Sequence, residues 1–375
     1  MRVPYAWNNT FHNKKRTVAA VAGIAFSVLL IFMQLGFLET GKRGSTLLYQ
    51  YLDFDIVITS DRYEFLTSSR SFDKARLIQA LVTPGVTDVM PFNVEEGEWQ
   101  DPDTEITSGV MLIGIDLKPS FIRNEGVKSR LDAITKTRTA MLDTLSSDEY
   151  GPLKAGREVV INNVDVTISS LFTLGMRFYN DGAIIVNNQT FQNLVRRDAR
   201  QVNFGLIKVA PGADITTIKE MLRESLPRDV LIFDRETLIS NEEDYFIYVL
   251  PIGIMFQIGT LIAFIIGSVI LFQVLATEIT NKLNEFATLK AMGFTTNNIY
   301  IIGFKQAFLY AFMGYVPSLF ITMGLFQFLR VKAKLPAEFT LYLAGFVFLL
   351  TLIMCLIPGF LALQTVRKAD PAALF

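Results

Sequence analysis

Four apolar runs constrain this chain more than any other feature of its sequence. One lies near the start, at residues 18–37, and three crowd the end, at 252–275, 299–329 and 341–363. A helix needs about 20 apolar residues to cross a hydrocarbon core, and each run is long enough. Sequence of ordinary water-soluble character separates the first run from the second. The layout predicts one membrane helix, a large domain outside the membrane held at both ends, and a bundle of three further helices. Charged residues are 19% of the 375, below the roughly 25% of a soluble protein, because the runs contain almost none.

The expected fold is therefore a membrane α-helical bundle of four spans with a large extracytoplasmic α/β domain of two subdomains. Residues 1–17 read as an interfacial segment carrying Tyr5, Trp7 and Phe11. The spans are 18–38, 251–276, 299–329 and 341–364, the outer domain is 39–245, and 330–340 is a short outer loop. Residues 277–298 form a cytoplasmic loop and 365–375 a cytoplasmic tail. The first run exceeds the 7–15 residues typical of a signal segment and lacks a small-residue cleavage site, so it reads as a retained anchor. Arg2, Lys14, Lys15 and Arg16 precede it without an acid, and Arg367 and Lys368 follow the last run. Basic residues favour the cytoplasmic side, so both termini are expected inside and the domain outside. Arg330, Lys332 and Lys334 in the outer loop are the contrary signal.

Within the outer domain, β-branched clusters predict strands at 53–60, 86–94, 108–115, 203–209 and 230–233. Ser71 or Asp73 is placed to cap a helix ending near Leu81, and a second helix is expected over 215–226. These make two strand–helix–strand units, at about 45–120 and 201–235, that can interleave into one porter-like α/β subdomain. Residues 121–200 would be an inserted subdomain, with strands at 159–170 and 181–186 and a weakly helical, polar stretch at 125–145. Residues 236–250 are either a helical stalk or a loop ending at Pro251. The third run is long and contains Gly303, Gly314, Pro317 and Gly324, so tilt, a kink or a break is expected there. Lys305 lies near enough to its cytoplasmic end to snorkel.

The chain lacks the residues for most chemistry. It has one histidine, His12, and one cysteine, Cys355, too few for a polyhistidine metal site, an HExxH motif, a disulfide or a cysteine zinc site. A net charge of −1 gives no field to attract nucleic acid. Residues 36–43 match G-x-x-x-x-G-K but end in Arg43, follow a membrane run and face outward, so they are not a nucleotide loop. The acid pairs Glu95/Glu96 and Glu242/Glu243 read as solvated faces. No catalytic, cofactor-binding or metal residue is expected.

The most specific segment joins the second and third runs, TEITNKLNEFATLKAMGF at 277–294. Ile279, Leu283, Phe286 and Ala287 share one helical face. Asn281, Asn284, Glu285 and Thr288 share the other, and Gly293 supplies a stop. This loop resembles that of the FtsX-like, MacB-type permeases of ABC transporters, with Thr277, Glu285, Ala291 and Gly293 matching. The tail ADPAAL at 369–374 and residues 16–27 are also similar to the family, closest to the cyanobacterial DevC-type permeases. Family members often carry an acid where this chain has Gln306, so no acidic contact is carried over there.

The resemblance implies a permease subunit of a tripartite exporter in a bacterial inner membrane, with no cofactor of its own. A separate cytoplasmic ABC ATPase would bind ATP and meet Asn281, Asn284, Glu285 and Lys290, with Gly293 ending the coupling helix. It further implies a second copy of the permease, a periplasmic adaptor, a TolC-like outer-membrane channel and contact with membrane lipid. The cargo would be a glycolipid or other amphiphile, moved by mechanotransmission rather than through the spans. The alternative is an FtsX-type mechanical regulator of a cell-wall hydrolase.

Overall fold

A computed structural model describes residues 14–175, 180–282, 296–332, 335 and 337–368. In chain order the helices are α1 (Lys14–Tyr51), α2 (Ala75–Leu81), α3 (Glu125–Lys128), α4 (Asn188–Val195), α5 (Ile215–Ser225), α6 (Arg235–Tyr248), α7 (Pro251–Asn281), α8 (Thr296–Lys332) and α9 (Leu341–Lys368). The strands are β1 (Ile56–Ser60), β2 (Phe72–Asp73), β3 (Val86–Gln100), β4 (Thr107–Ile115), β5 (Thr139–Asp143), β6 (Glu158–Ile161), β7 (Val164–Phe172), β8 (Ala183–Asn187), β9 (Gln201–Val202), β10 (Phe204–Val209) and β11 (Val230–Asp234). The chain divides into two compact units. One holds the residues up to Glu39 with Pro251–Ala333 and Ala337–Phe375; the other holds Thr40–Leu250 with Lys334–Pro336.

In the first unit, four helices (α1, α7, α8 and α9) are long and apolar enough to cross a membrane. Small residues let them approach closely, as packing in lipid requires. A Cβ at Gly314 of α8 would sit 2.5 Å from Ile24 Cγ2 of α1, and one at Gly267 of α7 would collide with Met354 of α9. α8 continues through Pro317, which removes a backbone donor from the ladder. Beside it the Ser318 hydroxyl lies 2.8 Å from the Gly314 carbonyl and 2.7 Å from that of Ala25. The helix is therefore unbroken at the proline.

The second unit is built on one nine-stranded sheet in the order β11-β1-β10-β3-β4-β8-β5-β7-β6. The four strands β11, β1, β10 and β3 are antiparallel neighbours. With α2 between β1 and β3 and α5 between β10 and β11, they form two interleaved strand–helix–strand units, a split βαβ arrangement. Leu77, Ala80, Ile218 and Leu222 on the two helices pack on Ile56, Ile58 and Ile207 of the sheet. Gly205 is required here, because a Cβ would strike Leu77.

The 15-residue β3 then leaves that layer. Its first half pairs with β10, Phe92 opposite Phe204. Its second half pairs with β4 from Phe92–Ile115 to Gln100–Thr107. Trp99 also faces Ile161 of β6, so β3, β4, β8, β5, β7 and β6 close into a ring around Trp99, Leu112, Leu142, Ile168 and Phe191. The expected insert is therefore continuous with the same sheet. Three asparagines fill polar positions in the interior: Asn93 donates to Asn188 at 2.8 Å and accepts from the Asn203 N–H at 3.0 Å.

Three local expectations need correction. The stretch 125–145 is helical only at Glu125–Lys128 and in a short 3-10 turn at Leu131–Ile134, and ends in strand β5. Ala140, Met141 and Leu142 are fully buried there, and burial on both faces outweighs weak helical periodicity. The run 159–170 is a hairpin rather than one strand. Asn162 and Asn163 have φ of 49° and 63°, the left-handed pair that a two-residue hairpin turn demands and asparagine tolerates. Asp73 lies just outside α2 and accepts from the Ala75 N–H at 2.9 Å, while Lys74 occupies the cap.

Between 236 and 250 the chain is helical: α6 ends at Tyr248 and Pro251 opens α7, where its missing N–H costs nothing. Asp234 caps α6, accepting from the Thr237 N–H at 3.0 Å, and pairs with Lys219 of α5 at 2.5 Å. Burial alone would raise its carboxyl; the donors from Lys219 and Thr237 outweigh that and hold it at about 2. A lowered value means the folded state binds the proton less readily than the unfolded chain. This contribution is present above about pH 4 and is lost as pH falls toward 2. Replacing Asp234 with Ala is expected to cost about 1–2 kcal/mol at neutral pH and progressively less on acidification, read by thermal unfolding of the full chain in detergent.

Candidate functional site

The segment expected to meet an ATPase joins the end of α7 to the start of α8 in the sequence. Of its named residues, Asn281 is described: it is the last residue of α7 and is exposed. Asn284, Glu285, Lys290 and Gly293 lie outside the described residues, as do Leu283, Phe286 and Ala287. Ile279, expected on the apolar face of a separate surface helix, is instead in α7 and 6% exposed. It packs with Leu275, Ala307 and Leu363 in the core of the membrane unit. The membrane helix therefore runs further than the apolar run alone indicates, because its last turn still has hydrophobic neighbours to bury against.

In the first turn of that segment, Glu278 of α7 accepts a hydrogen bond from the Gln306 amide of α8 at 2.5 Å. Gln306 is 6% exposed. The two line a small cavity of about 10 Å³ with Leu275, Ile279, Lys282 and Leu363, space for about one water. One turn earlier, the Arg16 guanidinium of α1 donates to the Val274 carbonyl at 2.8 Å. This end of the unit is thus held by polar ties between α1, α7 and α8. An acid in place of Gln306 would set two carboxyls against each other, whereas the amide supplies a donor. Sequence reasoning missed Glu278. The signal was there: a carboxylate one turn past an apolar run, and a glutamine inside the next.

The remaining chemistry is sparse. Among the described residues no group of three or more His, Cys, Asp or Glu side chains is placed to hold a metal ion. Residues 36–43 are all within α1, so no phosphate-cradling loop exists there. An open groove of about 400 Å³ in the second unit is lined by Glu95, Glu96, Glu98, Asn162 and Arg197. Glu95 is not freely solvated as expected: it is half-buried and paired with Arg197. Glu242 departs further, at 2% exposure, while its neighbour Glu243 reaches Lys42 at 3.0 Å. Consecutive residues on a helix point about 100° apart, so one acid of a pair faces inward while the other faces out.

The MacB-like periplasmic core domain matches residues 17–225, and the FtsX-like permease C-terminal domain matches residues 245–371. The chain belongs to the FtsX-like, MacB-type permeases. It is a membrane protein and the permease subunit of an ABC transporter, with a MacB-like periplasmic domain; in this family ATP hydrolysis resides in a separate cytoplasmic ABC ATPase. Similar solved structures include the periplasmic region of MacB from Actinobacillus actinomycetemcomitans, at 12% identity over 52% of this permease and 96% of that chain, TM-score 0.37. The extracellular domain of the noncanonic ABC-type transporter YknZ from Gram-positive bacteria is 12% identical over 48% and 100%, TM-score 0.34. A permease-protein domain from Porphyromonas gingivalis is 14% identical over 48% and 91%, TM-score 0.32. No curated protein matches the permease.

The Glu278–Gln306 tie yields a direct test. Gln306→Leu keeps the volume but leaves the half-buried Glu278 carboxyl without its donor. It is expected to lower stability by about 2–3 kcal/mol, measured as a fall in the thermal unfolding midpoint of the permease in detergent.

Proposed function

We propose that this permease is the transmembrane subunit of a tripartite exporter that converts ATPase motion into movement of its periplasmic domain. Asn281, Asn284, Glu285 and Lys290 meet the ATPase, and Gly293 closes the coupling helix. Two copies pair, both termini lie in the cytoplasm, and the membrane is the bacterial inner membrane. The periplasmic domain engages an adaptor and, through it, an outer-membrane channel. The likeness to DevC-type permeases favours a glycolipid or another amphiphile as cargo.

The observation that carries this reading is the interior of the membrane unit. Its buried core is made of Ile24, Val28, Phe32, Leu271, Val347 and similar side chains. Buried hydroxyls bond back to helix carbonyls: Thr322 to Ser318 at 2.7 Å and Thr351 to Val347 at 2.7 Å. Among the described residues, the interior of a single copy thus supplies apolar packing rather than a continuous row of solvated polar groups. A bundle of that kind suits transmission of force better than conduction of a polar solute. The polar ties at the cytoplasmic ends of α7 and α8 sit where the coupling segment leaves and rejoins them, the place at which a push would enter.

The test is reconstitution in lipid with the cognate ATPase. Glu285→Ala, and separately Asn281→Ala with Asn284→Ala, are expected to reduce permease-stimulated ATP hydrolysis and export by about tenfold or more, about 1.4 kcal/mol of coupling, with insertion and ATPase folding unchanged. Undiminished coupling in both variants refutes the assignment. Co-purification with a cell-wall hydrolase in place of an adaptor would favour the regulator instead.

A further inference from the structure

Glu242 is the most deeply buried acid of α6, and its surroundings are unusual. Its carboxylate accepts a hydrogen bond from Tyr49 of α1 at 2.7 Å and another from Tyr63, in the turn after β1. The Leu66 N–H, in the same turn, donates to it as well. These donors are two phenols and one peptide group, none of them charged. The phenol rings pack edge-on against Phe204 of β10, at centroid distances of 6.4 Å for Tyr49 and 5.9 Å for Tyr63. A single carboxyl therefore joins three separate pieces of the second unit: the last turns of α1, the turn at 61–66, and α6. All three belong to that unit.

The neighbouring ionisable groups do not neutralise it. On α6, Glu243 is taken up by Lys42, and Tyr245 stacks on Phe65 at 4.7 Å. From the turn, Glu64 accepts from Ser68 at 3.1 Å. Beside α1, the Arg235 guanidinium is directed to the Tyr49 carbonyl at 3.0 Å and over the Phe54 ring. Burial dominates: it pushes the Glu242 carboxyl up to about 7, against the lowering effect of the Tyr63, Tyr49 and Leu66 donors. The same burial raises the Tyr63 hydroxyl, so the phenol remains a donor throughout.

We propose that the Glu242–Tyr49–Tyr63 cluster is a proton-operated clasp, closed when the carboxyl is protonated and loosened when it ionises. A neutral carboxyl sits in this apolar pocket at little cost, hydrogen-bonded between two phenols. Ionisation leaves a charge there that water solvates better, which favours separation of the three pieces. The sign follows from linkage. A folded-state value raised from 4.5 to about 7 means that closure is strongest below pH 4.5, weakens as pH rises to about 7, and is constant above that. The opening equilibrium increases across that interval by about 300-fold at most, the antilogarithm of the shift. Since the clasp joins the outer end of α1 to α6, the reading of a moving periplasmic domain makes it a control on that motion by external pH. The clasp itself does not require that reading.

The experiment uses the full-length chain in lipid nanodiscs without an ATPase, so that failure here is separate from failure of coupling. Difference infrared spectroscopy is expected to show a neutral-carboxyl C=O band that titrates with a midpoint near 7 and is missing in Glu242→Gln. Hydrogen exchange in segments 44–51 and 61–66, corrected for intrinsic rates, should quicken between pH 5 and 7 in the wild type and stay flat in Glu242→Gln. Should that variant fail to fold, Tyr63→Phe removes a donor that favours the ionised form, and the band midpoint must move upward. A wild-type band titrating at the ordinary carboxyl value overturns the proposal. So does identical pH-dependent exchange in wild type and Glu242→Gln, or an unmoved midpoint in Tyr63→Phe.

Discussion

A peptide group in hydrocarbon has no water to bond, and every N–H and C=O must find its partner within the chain. For an apolar run of about 20 residues the helix satisfies all of them locally. Much else in this permease depends on that constraint. It makes helices of the four apolar runs and leaves a single long stretch between the first and the second to fold in water. It also removes the hydrophobic effect as a force between the helices, so their packing falls to small residues and close contacts. Gly314 against Ile24 and Gly267 against Met354 are where that is visible. Hydroxyls that would otherwise be orphaned return to helix carbonyls, as Thr322 and Thr351 do.

In the outer unit the organising element is β3. A strand of 15 residues is long enough to serve two layers: its first half completes the split βαβ sheet with β10, and its second half starts the ring with β4 and β6. The side chains follow. Met90 and Phe92 belong to the core shared with Tyr49 and Leu238, whereas Trp99 belongs to the ring interior with Tyr150 stacked on it at 4.5 Å. The buried asparagines Asn93, Asn188 and Asn203 sit at the crossing of the two layers. Their hydrogen bonds supply there the fixed register that apolar packing leaves less specified.

Local pattern carried the reading wherever the physical cause is local. The strand–helix–strand units around 53–94 and 203–233 were legible because alternating and helical apolar spacing is a property of neighbouring residues. So was the start of α5 at Ile215, where the preceding Asp214 carboxylate accepts from the Thr216 and Thr217 N–H groups. The misread stretches have non-local causes. β5 is a strand because β7 and β8 flank it, not because its residues prefer extension. The Asn162–Asn163 turn was missed because two asparagines inside an apolar-rich stretch look like surface polarity until their left-handed backbone is seen. At the candidate site, Asn281 was legible as an exposed position. The Glu278–Gln306 contact was not, since it joins residues 28 apart on different helices.

By itself the amino-acid sequence determined that this chain has four apolar helices and a large water-facing insertion between the first two. Those properties follow from composition and short-range periodicity, which hold whatever the helices later touch. Tertiary structure alone decided that one sheet runs through the whole insertion, and that Glu242 is buried between two tyrosines while Glu243 faces Lys42. Identical side chains one residue apart acquire opposite surroundings because the helix turns between them, and what each then meets is set by residues about 190 positions away in the chain.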